Sequence, residues 1–123
     1  LHAVLLGSAT DLDAARAVAA ATTSPVIDLA GQTTFGQMAA IISRARLFVG
    51  NDSAPLHLAA AVGTPFVGIY GPSDPVRHRP FGRGQTVAAR IPPTAYRNGF
   101  AAVDCIATIT PDDVLDACRG LLV

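Results

Sequence analysis

Short, continuous apolar runs that alternate with stretches of helical periodicity constrain this chain more than any other feature. Ala3 to Leu6 is the unbroken case, Val26 to Leu29, Leu47 to Val49 and Phe66 to Tyr70 are the other short apolar runs, and each is followed within two residues by a glycine. A strand with one wet face alternates apolar and polar residues, whereas a strand covered on both faces need not. Repeated strand-helix units pack into a parallel sheet, so the pattern predicts an α/β fold, a doubly wound parallel sheet. At 123 residues the chain has room for one domain, and for a core that needs neither disulfides nor metals.

The segments between the runs carry helix start signals. Thr10 is the expected cap of a helix over Asp11 to Ala21, whose two aspartates fall in the positive first turn. Thr34-Phe35-Gly36-Gln37 has the T-x-x-Q form of a capping box, and behind it Met38, Ile41, Ile42 and Ala45 form one apolar stripe. A helix from about Ala54 to Val62 stops at Gly63-Thr64-Pro65. Gly71 to Gly84 reads as one long Pro- and Arg-rich loop, Gln85 to Arg90 as a fifth strand, and residues 91 to 103 as irregular. Thr110-Pro111-Asp112-Asp113 combines an N-cap, a proline at the first helical position and two acids against the dipole. Val114, Leu115, Cys118, Leu121 and Leu122 are its expected buried stripe.

Composition removes several classes of function. Half the residues are apolar, 15% are charged and the mean hydropathy is +0.41, far from the composition of disordered chains. Nine Arg balance nine Asp with no Lys or Glu, so there is no basic field for a nucleic acid. No apolar stretch approaches the roughly 20 residues of a membrane span, and no targeting signal opens the chain. Cys105 and Cys118 lack a CxxC or a neighbouring His and read as free core thiols of a cytoplasmic protein.

In parallel sheets ligands sit beyond the carboxyl ends of the strands, which directs attention to the strand exits. The richest is Gly50-Asn51-Asp52-Ser53-Ala54-Pro55-Leu56-His57, where a buried strand runs almost directly into a helix. Free amides of a first helical turn, with about half a unit of positive dipole charge, form a socket for an anion such as phosphate. Asp52 can accept hydrogen bonds from sugar hydroxyls and His57 can donate to a phosphate or sugar oxygen. Asp52 and Ser53 are equally ordinary N-cap residues, and a lone His is commonly structural. Arg77, Arg79 and Arg83 gather within seven residues and can serve one small anion. Asp11-Leu12-Asp13 has the D-x-D spacing of some sugar-transferase metal sites, but the dipole alone explains two acids there, so no metal is expected. G-x-G-x-x-G, G-x-x-x-x-G-K-[ST] and G-x-S-x-G are all absent, which sets back dinucleotide, P-loop and serine-hydrolase readings.

Phe48-Val49-Gly50-Asn51-Asp52-Ser53-Ala54-Pro55-Leu56-His57-Leu58-Ala59-Ala60-Ala61-Val62-Gly63-Thr64-Pro65, followed by Gly71-Pro72-Ser73-Asp74-Pro75, resembles the heptosyltransferases of glycosyltransferase family 9. These segments are similar to that family's D-[ST]-G-x-x-H-[LI]-A-A-A-x-G-x-P and F-G-P-T-[DS]-P. Leu29 to Thr34 resembles its L-x-G-x-[TS]-[ST], and Cys105 through Val114 its closing C-x-x-x-I-[ST]-P-x-x-V.

The resemblance implies the Rossmann-like, donor-binding half of a GT-B glycosyltransferase that moves heptose from ADP-heptose onto the lipopolysaccharide inner core. Asp52 would then meet the donor sugar, Ser53 and Ala54 the diphosphate through backbone amides, and His57 would support that contact. Gln32 and Thr33 would lie near the base. The family usually has Gly where Ala54 stands, and its methyl group narrows the approach of a phosphate. By the same resemblance the chain begins after the acceptor domain that carries the catalytic base, and after the donor domain's first strand and helix. That leaves a sheet edge open to pairing. The parent is expected to be inverting and metal-independent, with no cofactor beyond the donor, and to work at the inner face of the inner membrane as a peripheral protein. A non-catalytic nucleotide-binding module of the same shape is the competing reading. A nucleotide-sugar epimerase ranks below both for want of acidic catalytic groups.

Overall fold

The computed structural model describes residues 1–91 and 102–123, and its contacts divide into two compact units, Leu1–Ala40 and Ile41–Val123. In the first unit β1 (Ala3–Leu5) and β2 (Val26–Asp28) pair in parallel, with Ala3 opposite Val26 and Leu5 opposite Asp28. Between them a 3-10 turn, Ala9–Asp11, leads into α1 (Leu12–Ala21). Ser8 rather than Thr10 caps this start. The Ser8 hydroxyl accepts the Thr10 N–H at 3.3 Å, and the Asp11 carboxylate accepts the Ser8 N–H at 2.7 Å and hydroxyl at 2.8 Å. The tight 3-10 turn places the first free amides one step earlier than an α-helix would, which moves the cap upstream.

The T-x-x-Q box forms as expected. Thr34 N–H donates to Gln37 Oε1 at 2.9 Å, Gln37 N–H donates to Thr34 Oγ1 at 3.2 Å, and α2 runs over Phe35–Ser43. Ile42 is fully buried and its carbonyl accepts the Thr64 hydroxyl at 2.7 Å, so the buried threonine is satisfied.

The second unit holds a three-stranded parallel sheet, β3 (Phe48–Asn51), β4 (Phe66–Tyr70) and β5 (Gly84–Ala88), with β4 central. α3 (Ala54–Ala61) packs on β3 and β4, and α6 (Pro111–Leu122) on β4 and β5. Alternate residues of a strand face opposite ways. Val67 therefore enters the cluster with Ala117 and Leu121 of α6, while Phe66 and Tyr70 are buried on the other face, where Leu56 of α3 also packs. Both faces of the central strand are covered, as its apolar run implies. Burying each of these large side chains contributes roughly 1.5–3 kcal/mol.

Glycines make room for the rings. A Cβ at Gly50 would lie 2.7 Å from the Phe48 ring, and one at Gly68 would lie 2.8 Å from Tyr70 and 2.9 Å from Leu56. α3 ends in a Schellman turn, with Gly63 at φ +81°, Gly63 N–H bonded to Ala60 O and Thr64 N–H to Ala59 O.

Three expectations are corrected. The stretch from Gly71 to Gly84 contains α4 (Pro75–His78), capped by Asp74, whose carboxylate accepts the Val76 N–H at 2.9 Å. α5 (Ala102–Ile106) occupies the end of the segment expected to be irregular, the rest of which, residues 92–101, lies outside the described residues. Leu115 is half exposed, and Ala117 takes its place in the buried stripe because it points at Val67. The α6 start forms as read: Thr110 Oγ1 accepts the Asp113 N–H at 3.2 Å, and the Asp113 carboxylate accepts the Thr110 N–H at 2.8 Å. Cys105 and Cys118 are both free thiols, Cys105 buried and Cys118 partly so.

Candidate functional site

β3 runs into α3 with two residues between them, Asp52 and Ser53. Asp52 N–H donates to Ile69 O at 3.1 Å, which continues the ladder one residue past the strand and fixes the direction of the exit. Ser53 occupies the N-cap with extended backbone, φ −157° and ψ 172°, yet its side chain caps nothing. Its hydroxyl turns back and donates to the carbonyl of Asn51 at 3.2 Å. Leu56 and His57 N–H both point to the Ser53 carbonyl, and Pro55 has no N–H to give. The N–H groups of Ser53 and Ala54 are left without a partner among the described residues. The N-cap expectation for Asp52 and Ser53 therefore fails on geometry: neither side chain closes the helix, and its positive end stays open.

Asp52 and His57 flank this opening. Asp52 Oδ1 lies 3.8 Å from His57 Nε2, the aspartate side chain 19% exposed and the histidine 51%. The carboxylate is thus largely sheltered while the imidazole reaches outward. Tyr70, at the end of β4, is fully buried, with its ring over Gly68 beside Leu56, and its hydroxyl has no hydrogen-bond partner among the described residues. Burial pushes its phenol above the ordinary tyrosine range; the Asp52 carboxylate adds to the shift and the Arg79 guanidinium opposes it. Sequence reasoning missed Tyr70. The available signal was its position as the last residue of a fully buried strand, just before Gly71.

The structure brings Asp52, Ser53, Ala54 and His57 together at the carboxyl end of β3. Gln32 and Thr33 belong to the first unit and follow β2, after a turn at Gly31 with φ +69°. Gln32 Nε2 donates to Asp28 O at 3.1 Å, which frees its amide oxygen for other uses, and the buried Thr33 hydroxyl has no partner among the described residues. The D-x-D aspartates diverge. Asp11 is committed to Ser8, whose hydrogen bonds hold its carboxyl below the usual range, and Asp13 faces Arg16 at 3.8 Å. Among the described residues no group of three His, Cys, Asp or Glu side chains converges on a point.

Of the three arginines expected to gather on one anion, Arg83 is elsewhere, donating to Leu121 O at 2.9 Å. Arg79 donates one N–H to Gly84 O at 3.0 Å, and Arg77 faces Asp74 at 3.9 Å. No described helix is long and apolar enough to cross a membrane.

Comparison with known proteins places these features in a lineage. Residues 1–97 match the family model described as glycosyltransferase family 9 (heptosyltransferase). Lipopolysaccharide heptosyltransferase 2 of Escherichia coli K12 is 36% identical over 129 residues, which takes in 97% of this chain and 36% of that protein. Lipopolysaccharide heptosyltransferase 3 of E. coli is 49% identical over 59 residues, 48% of this chain and 17% of the relative. Among solved structures, a glycosyl transferase family 9 protein from Veillonella parvula superposes with a TM-score of 0.85 at 25% identity, and E. coli ADP-heptose lps heptosyltransferase II with 0.81 at 31%. Each superposition covers 97% of this chain, and respectively 36% and 35% of the other. The chain spans about a third of the length of the longer-matching relatives. A parallel α/β unit with an open helix start at the β3 exit, matched along most of its length to one family model, belongs to glycosyltransferase family 9, the heptosyltransferase family.

Proposed function

We propose that this chain is the donor-binding part of a glycosyltransferase that carries heptose from ADP-heptose to the lipopolysaccharide core. The observation that carries the reading is the start of α3, where no group among the described residues accepts from the Ser53 and Ala54 amides, which leaves them for an anion. In this reading those amides and the helix dipole take the donor diphosphate, with no metal ion or further cofactor. Asp52 accepts hydrogen bonds from the sugar hydroxyls, and His57, beside it, supports the phosphate contact. Gln32 and Thr33 serve the base. The group that deprotonates the acceptor comes from a separate acceptor-binding domain, and transfer inverts the anomeric centre at the cytoplasmic face of the membrane.

Calorimetric titration tests this. ADP and ADP-heptose should bind with equal heat in EDTA and in magnesium, and Asp52→Ala should weaken ADP-heptose while sparing ADP, which lacks the sugar. Binding abolished by EDTA would remove the metal-free socket. Absence of any ADP binding would remove the donor-site reading itself.

A further inference from the structure

A second recess opens beside the donor loop. It is a shallow groove of about 460 Å³ between one face of α3, presenting His57, Ala60 and Ala61, and the segment Arg77 to Phe81. No carboxylate lines it. In a chain with no net charge, Arg77, Arg79, His57 and His78 all line this one recess. Beyond the cations stands Phe81, 99% exposed, with Val76 91% exposed nearby in sequence. Phe81 thus leaves an aromatic face at the edge of a recess that Arg77 and Arg79 also line.

The segment is held rather than loose. Pro80 is buried, and a Cβ at Gly82 would lie 3.3 Å from the buried Phe66 ring, so the chain is pinned on both sides of Phe81. Arg79 is tied to Gly84 O by one N–H, and Arg83 to Leu121 O. The tie on Arg79 consumes one of five N–H donors and fixes the position of the rest. The ion pair of Arg77 with Asp74 is long and solvent-exposed, and such a pair competes weakly with a ligand.

We propose that this groove is a second, anion-selective sugar subsite, distinct from the amide socket at the start of α3. It takes a sugar bearing a phosphomonoester or carboxylate. The guanidinium groups of Arg77 and Arg79 hold the charge, and the Phe81 ring covers the sugar's apolar face. The two sites touch through His57 alone.

The experiment follows the NMR signals of Ala60, Ala61, His78 and Phe81 in the whole chain during titration with mannose 6-phosphate, glucuronate, mannose and inorganic phosphate at constant ionic strength. One or both anionic sugars should shift these signals saturably, and which of them does so identifies the anion. Mannose should not. Arg77→Gln, which leaves the Arg79 anchor intact, should weaken the anionic sugar by about tenfold, the usual effect of losing one charge-assisted hydrogen bond. Phe81→Ala should weaken the sugar but spare inorganic phosphate, and both variants should bind ADP as the parent does. Equal shifts by mannose, unchanged binding in Arg77→Gln, or displacement of the sugar by ADP overturns the subsite. Loss of ADP binding in the parent chain, with the anionic sugar still bound, instead sinks the donor reading and leaves the subsite standing.

Discussion

α3 and α6 begin with a hydroxyl residue at the N-cap and a proline in the first turn, yet they finish that turn in opposite ways. Thr110 and Asp113 close α6 on themselves, with Thr110 Oγ1 accepting one amide and the Asp113 carboxylate taking both the N–H and the hydroxyl of Thr110. Arg90 adds a two-pronged contact to the same carboxylate at 3.0 and 3.1 Å. At α3 the residue in the place of Asp113 is Leu56, fully buried against the sheet and unable to return a bond. With no reciprocal partner, the Ser53 hydroxyl pairs with Asn51 O instead. The difference separates a helix end closed by its own side chains from one that no side chain caps. It also explains why the same residue types support two conclusions.

The sharpest test of the contrast is at Asp52, where Asp52→Ala should weaken ADP-heptose binding by roughly 10- to 100-fold by calorimetry, the effect of losing charge-assisted hydrogen bonds to the sugar. Loss of the carboxylate at the α6 start, Asp113→Ala, should leave ligand binding untouched. A loss of stability with normal ADP-heptose affinity in Asp52→Ala would reduce Asp52 to a scaffold residue.

Next in size is Thr110→Ala, which should cost about 1–2 kcal/mol of stability in urea unfolding because it removes the acceptor of the Asp113 N–H and the hydroxyl donor to the Asp113 carboxylate, leaving only the backbone half of the box. Acid should reach α6 in the same way. The hydrogen bonds from Thr110, with help from Arg90, hold the Asp113 carboxyl below its ordinary value. The unfolded chain therefore binds that proton more readily than the folded one. Its contribution is complete above the ordinary carboxylate range and is lost as pH falls through the depressed value. Unfolding profiles across that range should show a smaller acid-dependent loss in Asp113→Asn than in the parent; equal slopes would deny the box its role.

The smallest effect should be at Ser53. Ser53→Ala removes a hydroxyl that caps nothing, so stability should change by no more than about 0.5 kcal/mol and ADP affinity should hold, since the amides remain. A loss as large as that of Thr110→Ala would mean that the Ser53 hydroxyl caps α3 in solution and that the two helix starts are alike.

Local chemistry carried in the sequence was read correctly where its partners lie a few residues apart. The Thr34–Gln37 and Thr110–Asp113 boxes close within one turn, and the apolar runs pair in parallel, although the cover on both faces that such runs imply is complete only at β4, while Val4, Ile27 and Val49 stay exposed. Asp52, Ser53, Ala54 and His57 were legible for the same reason, being eight residues or fewer of contiguous chain. The 3-10 turn at Ala9–Asp11 escaped, since a shift of cap from Thr10 to Ser8 turns on backbone winding that two similar hydroxyl residues do not disclose.

What the tertiary structure decided are the pairings between distant residues. Arg83 leaves the arginine cluster for a carbonyl 38 residues away, and Arg79 is pinned to Gly84. Tyr70 folds over Gly68 beside Leu56 of α3, with its hydroxyl buried and unpartnered among the described residues. Sequence by itself determined the strands, the longer helices and the place of the β3–α3 loop, because hydrogen bonds within one turn and apolar periodicity are local properties. Which helix end stays open, and which cations stay free, depended on competition among distant groups, and that competition is resolved only when packing sets their distances.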